Sequence, residues 1–242
     1  MNKLILCEGK TDAILLSYYL MRKCGWQYSK NSPKGLSLKE DKKAGESVSW
    51  YQKDDDYLLI CAVGSKNRFK QFFDEKIRPP LETSNAFSRI ALIIDHDEEQ
   101  VEEIEASIRR DLPLVAARAQ NDQWVQHNYL DSYKEEKYVD FLLLTVPHDQ
   151  QGALETLLLD AISEDGYDKN IVERSRLFVD DIAPEAKRYI GKRRLILKAY
   201  LGVTWAIQSP QKVFDFIDGQ LRMVEWEKSK VLEQCFQHIC KI

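Results

Sequence analysis

Three short apolar runs, each stopping abruptly at polar residues, limit most what this chain can fold into. Leu4-Ile5-Leu6-Cys7 runs into Glu8-Gly9-Lys10-Thr11-Asp12. Tyr57-Leu58-Leu59-Ile60-Cys61-Ala62-Val63 runs into Gly64-Ser65-Lys66-Asn67, and Ile90-Ala91-Leu92-Ile93-Ile94 runs into Asp95-His96-Asp97. Runs this short, apolar at successive positions, read as strands buried on both faces, the kind found in parallel sheets. In open α/β sheets ligands bind outside the carboxyl ends of the strands. With the first and third runs in one sheet, Glu8, Asp95 and Asp97 converge at one edge. Converging carboxylates repel one another unless a proton or cation holds them, and the cation suited to hard oxygen ligands is Mg²⁺. Two residues apart on an extended chain, Asp95 and Asp97 would point the same way and clamp one ion.

The rest of the chain alternates around these runs. Residues 11–23 hold no Gly or Pro and read as a helix, apolar around most of its circumference and so expected to be deeply buried. Residues 25–56 form an irregular insertion that reads as a β-hairpin with a long polar loop. A helix is expected after Gly64, ending before Pro79-Pro80, and an acidic, solvated helix over residues 98–110. Two more strands are expected at residues 124–130 and 138–146. Beyond residue 147 the pattern turns helical, over 152–162, 170–178, 184–201 and from Gln211 to the C-terminus. The expected division is an α/β domain over residues 1–146, a mainly parallel sheet flanked by helices, followed by a helical portion over 147–242.

Composition excludes several classes. At 242 residues the chain is long enough for one large domain or one with an appendage, and 44% hydrophobic with 31% charged residues suits a globular protein. No apolar run approaches the roughly 20 residues of a membrane span, and the start is too short and acidic for a secretory signal. Five cysteines follow no disulfide-like spacing, so a reducing cytoplasm is the expected compartment. A formal net charge of −4 argues against a protein that coats nucleic acid, but not against an enzyme gripping a phosphate backbone over a small area.

Glu8-Gly9-x-x-Asp12 after one strand and Asp95-x-Asp97 after a later one, with Gly64-Ser65-Lys66 at the strand between, resembles the Toprim domain. That family includes topoisomerases, bacterial primases, small ribosomal-RNA maturases and the overcoming-lysogenization-defect (OLD) nucleases. The resemblance covers about residues 1–110. Residues 147–159, with Gly152-Ala153-Leu154-Glu155, further resemble small stand-alone Toprim-like proteins related to OLD nucleases. The resemblance implies a Mg²⁺-dependent phosphoryl-transfer protein, with Mn²⁺ as a substitute, cleaving DNA or RNA phosphodiester bonds. It implies Glu8, Asp95 and Asp97 as catalytic residues and metal ligands, with Asp12 and Glu155 helping to hold a second ion. Two ions about 3.5–4 Å apart would stabilise both the attacking and the leaving oxygen. Gly9 would let the backbone approach a phosphate, and Lys10, Gly64 and Lys66 would take phosphates beside it. Because OLD nucleases carry an ATPase, the alternative is a non-catalytic Toprim-like module acting with a partner such as an ATPase.

Other readings are weaker on the residues themselves. Gly9-Lys10-Thr11 imitates the end of a P-loop, but the required first glycine falls at Leu4. His96-Asp97 lacks the further histidines of a phosphohydrolase, and Cys235, His238 and Cys240 lack a second zinc-ligand pair. Arg188, Lys192, Arg193 and Lys198 form a basic cluster that reads either as a phosphate-holding helical stripe or as a solvated face. Trp26, Tyr28, Trp50 and Tyr51 read as strand core more readily than as base-stacking platforms.

Overall fold

A computed structural model describes residues 2–148 and 150–213. The three apolar runs become strands of one seven-stranded sheet: β1 (Asn2–Cys7), β4 (Asp56–Ala62) and β5 (Arg89–Asp95). The insertion supplies β2 (Gln27–Ser29) and β3 (Ser47–Lys53), and the later segments supply β6 (Gln123–Leu130) and β7 (Glu136–Val146). The strand order is β2-β3-β4-β1-β5-β7-β6. The four central strands β4, β1, β5 and β7 pair in parallel, whereas β2, β3 and β6 extend the edges antiparallel. The architecture is therefore α/β. Leu4, Leu6, Leu59, Ile90, Leu92, Phe141 and Leu143 fill one core under the sheet, as strands buried on both faces require.

The chain divides into two compact units, Met1–Leu157 and Leu158–Ile242, whereas the expected division fell at 146/147. The segment after β7 remains with the sheet because it bonds back to it: Asp97 and Gly152 form an isolated bridge. The expected hairpin is present as β2 and β3, with Trp50 opposite Ser29 and Tyr51 opposite Tyr28. Trp26, Trp50 and Tyr51 are buried; only Tyr28 is exposed.

Helix α1 (Lys10–Cys24) departs from its expected deep burial, having no fully buried residue. Its Ala13, Leu16 and Leu20 pack on the sheet, while Ile14, Tyr18 and Tyr19 point away and are exposed. The helical stretch after Gly64 does not stop before Pro79-Pro80. It runs from a 3₁₀ turn (Lys66–Arg68) through α2 (Phe69–Phe72) and a π turn (Phe73–Ile77) into α3 (Arg78–Ser84). Both prolines sit in the first turn of α3, where the missing N–H costs little. Helix α4 (Val101–Asp111) is solvated on one face only; Ile104 and Ile108 are buried. Helix α5 (Pro113–Ala116) follows and, after β7, α6 (Leu154–Ile162).

The second unit contains α7 (Gly166–Ile182), α8 (Lys187–Ile190), α9 (Arg193–Gln208) and α10 (Pro210–Val213). The single helix expected over 184–201 is broken at Gly191, and Lys192 is extended. A Cβ at Gly191 would come within 2.5 Å of the Lys187 carbonyl oxygen, so the turn is closed by a close backbone approach. Most of the helix expected from Gln211 onward, together with Cys235, His238 and Cys240, lies outside the described residues.

Candidate functional site

Parallel pairing of β1 with β4 and β5 puts the carboxyl ends of all three strands at one edge. Cys7 stands opposite both Ala62 and Ile93. Just past that register the ladder continues: the Val63 N–H donates to the Cys7 carbonyl and the Gly64 N–H to the Glu8 carbonyl, each at 2.9 Å. Glu8 leaves β1 and accepts the Asp95 backbone N–H on Oε1 at 3.0 Å. Both side chains are buried, at 4% and 5% exposure. A buried carboxylate without hydrogen bonds is costly, so this placement is specific and does not arise by accident.

The loop after β7 completes the edge. The His96 N–H donates to the Val146 carbonyl at 2.8 Å and the Asp97 N–H to the Gly152 carbonyl at 2.5 Å. The His96 ring meets the Gln150 carbonyl at 2.7 Å. Asp95 Oδ1 accepts the Leu154 N–H at 3.1 Å, so this carboxylate lies at the N-terminus of α6. Negative charge there is favoured by the helix dipole. Glu155 follows Leu154 directly and is itself buried, at 7% exposure.

Each expected site residue therefore has a place. Glu8, Asp95 and the Glu155 turn are brought to one edge. Asp97 is not on an extended chain: its φ of +50° turns the backbone immediately after β5, so the alternation argument that aligned it with Asp95 does not apply. Its carboxylate lies 3.8 Å from Lys66 Nζ. Lys66 also pairs with Glu99 and donates to the Asp95 carbonyl at 3.4 Å. Asp12 accepts the Gly9 N–H at 2.9 Å, which caps the start of α1. Lys10 is exposed in the first turn of α1. Gly64 is demanded by packing: its φ is +97°, and a Cβ there would meet the Ala44 carbonyl oxygen at 2.1 Å. Arg188, Lys192, Arg193 and Lys198 are exposed on the second unit.

The electrostatics agree with a gathering of acids. Burial pushes the Cys7 thiol well above its usual range, and the charges of Asp12, Glu8 and Asp95 add to that shift. Among the described residues, no group of three or more His, Cys, Asp or Glu side chains is arranged to hold a metal ion. The donors nonetheless fit a hard cation in kind, since all are carboxylates. Mg²⁺ commonly uses one or two of these and completes its shell with water and phosphate.

The resemblance puts Lys66 on phosphate, but its pairing with Glu99 has no signal in the sequence. The Leu154 N–H, the bridge at Gly152 and the buried Glu46 are also new. Glu46, 1% exposed, binds Arg68 at 2.9 Å, Lys76 at 2.5 Å and the Asp41 N–H at 2.8 Å. It braces the insertion against the helical stretch after Gly64.

The class defined so far is an α/β protein that gathers buried carboxylates at the carboxyl edge of its central parallel strands. The chain belongs to the family described as "Protein of unknown function (DUF3226)", which matches residues 2–236. No curated protein matches it. A solved structure, that of a hypothetical protein from Pyrococcus horikoshii OT3, is similar at 17% identity over 90% of this chain and 94% of that chain, with a TM-score of 0.43.

Proposed function

We propose that this protein is a Mg²⁺-dependent phosphoryl-transfer protein of Toprim type, related to the OLD nucleases, that cleaves phosphodiester bonds in DNA or RNA. The observation that carries this reading is the contact of the buried Glu8 carboxylate with the Asp95 N–H at 3.0 Å, which joins two adjacent strand ends. Glu8 and Asp95 would hold the ion, with Asp97 and Glu155 beside them. Mg²⁺, or Mn²⁺ in its place, would supply charge stabilisation at the scissile phosphate. Lys66 would exchange its contacts with Asp97 and Glu99 for a substrate phosphate, and Gly9 and Lys10 would border the same phosphate path. The free thiols Cys7, Cys24 and Cys61 favour a cytoplasmic setting.

The test is cleavage of labelled single- and double-stranded DNA and RNA with Mg²⁺ or Mn²⁺, comparing the wild type with Glu8→Gln and Asp95→Asn. Cleavage lost in both variants is expected. A second reading, a Toprim-like binding module acting with a partner such as an ATPase, is favoured by one observation: Asp95 Oδ1 is already engaged by the Leu154 N–H and Asp97 by Lys66. Wild-type protein that cuts none of the substrates with either ion, with or without an ATPase partner, would overturn the nuclease reading in favour of this one.

A further inference from the structure

Residues 187–198 hold six Lys or Arg among twelve positions and no Asp or Glu. They run along α8, the Gly191 turn and the first turns of α9. Lys187, Arg188, Lys192, Arg193, Arg194 and Lys198 are all exposed. Among the described residues no ion pair joins Lys187, Arg188 or Lys192 to a carboxylate. On the neighbouring helices Asp160 lies 3.5 Å from Arg176, and Asp180 accepts the Tyr200 hydroxyl at 2.5 Å. Helix α9 has no acid in its first turn. Lys192 at its N-cap stands at the positive end of the helix dipole, where a cation is disfavoured. Lys187, Arg188 and Lys192 thus present three exposed cations within six positions of the chain. An extended polyanion matches such a row of charge, and a nucleic-acid backbone is one.

Tyr189 separates nucleic acid from other polyanions. It is 71% exposed in the middle of the basic residues. The Arg188 guanidinium lies 5.7 Å from its ring centroid. Flat aromatic and guanidinium faces beside a basic track are what unpaired bases stack on, and a single strand exposes those faces where a duplex hides them. An acidic peptide or an anionic lipid surface would match the charge but leave the ring without a flat partner.

We propose that this basic, tyrosine-bearing patch binds single-stranded nucleic acid, with Lys187, Arg188 and Lys192 on phosphates and Tyr189 stacked on a base. This deepens the nuclease reading by naming the form of the substrate, and rests on that reading only for the consequence that the bound strand is cut. The experiment is fluorescence anisotropy on the full chain, in chelator. The probes are oligo-dT and oligo-U of about 20 nucleotides, a duplex of equal length, and phosphatidylserine vesicles.

Single strands, whether DNA or RNA, should bind more tightly than the duplex. Tyr189→Ala should weaken them by about tenfold, the scale of one lost stack, and Tyr189→Phe should restore binding. The triple variant Lys187→Gln, Arg188→Gln, Lys192→Gln should lower the salt slope by about 0.7 per lost phosphate contact. Circular dichroism of these surface variants should match the wild type. Unchanged binding in Tyr189→Ala, preference for the duplex, an unchanged salt slope, or binding to vesicles alone would each overturn the proposal. Binding in chelator without cleavage in Mg²⁺ or Mn²⁺ would overturn the nuclease reading and leave the patch standing. Cleavage with Tyr189→Ala binding and cutting as the wild type does would overturn the patch alone.

Discussion

At the scale of single residues, the carboxylates do two jobs that substitution can separate. Glu8 and Asp95 each accept a backbone N–H through one oxygen. Glu8→Gln and Asp95→Asn keep an acceptor oxygen for that bond while removing the charge. Both variants should therefore fold, with thermal midpoints within a few degrees of the wild type, and both should lose Mn²⁺ binding measured by calorimetry. Glu46 is a different case, a buried acid whose partners are structural. Burial pulls its pKa upward, but its bonds to Lys76 and the Asp41 N–H and the nearby Arg68 charge outweigh this and leave it lowered. A lowered folded pKa stabilises above the unfolded value, about 4.3 for a glutamate, and that stabilisation is lost as pH falls through the folded value. Glu46→Gln should cost about 2–4 kcal/mol near neutrality, because it leaves Arg68 and Lys76 without their charge partner. Urea titrations at a series of pH values should show wild type and variant converging in acid. Gly64→Ala should cost about 2–5 kcal/mol by the same measurement, since it adds both a strained positive φ and a collision with the Ala44 carbonyl.

At the scale of elements, α1 shows how tertiary packing selects among the faces a sequence offers. Its composition offers apolar surface nearly all round, but the sheet takes only the stripe of Ala13, Leu16 and Leu20. Leu16→Ala should therefore destabilise by about 1–2 kcal/mol. Ile14→Ala, at a position 55% exposed, should stay within about 0.5 kcal/mol in chemical denaturation. Helix α6 is tied to the sheet through the bond from the Leu154 N–H to Asp95. Asp95→Ala removes both that acceptor and the charge at the helix end. It should cost about 1–2 kcal/mol more than Asp95→Asn, and amide exchange should rise first at residues 153–157.

At the scale of the whole molecule, a ligand that binds only the folded state raises its stability by mass action, about 2.7 kcal/mol at one hundred times its Kd. Mg²⁺ should thus raise the thermal midpoint of the wild type and leave that of Glu8→Gln and Asp95→Asn unmoved in differential scanning calorimetry. An equal rise in all three would point to general screening of an acidic chain, not to a site at the strand ends. The α/β class and the strand ends carrying Glu8, Gly64 and Asp95 were readable from the chain alone. Apolar runs and the residues that end them are local patterns, and parallel pairing then aligns their ends. The resemblance offered Asp12 and Asp97 as ligands. Tertiary structure gave each a partner within the chain. It bonded Asp12 to the Gly9 N–H, turned Asp97 toward Lys66 and Gly152, and set the Leu154 N–H on Asp95. The last two depend on contacts between residues far apart in the chain. Neither periodicity nor composition records such contacts, because their energy exists only once β5, β7 and α6 lie side by side.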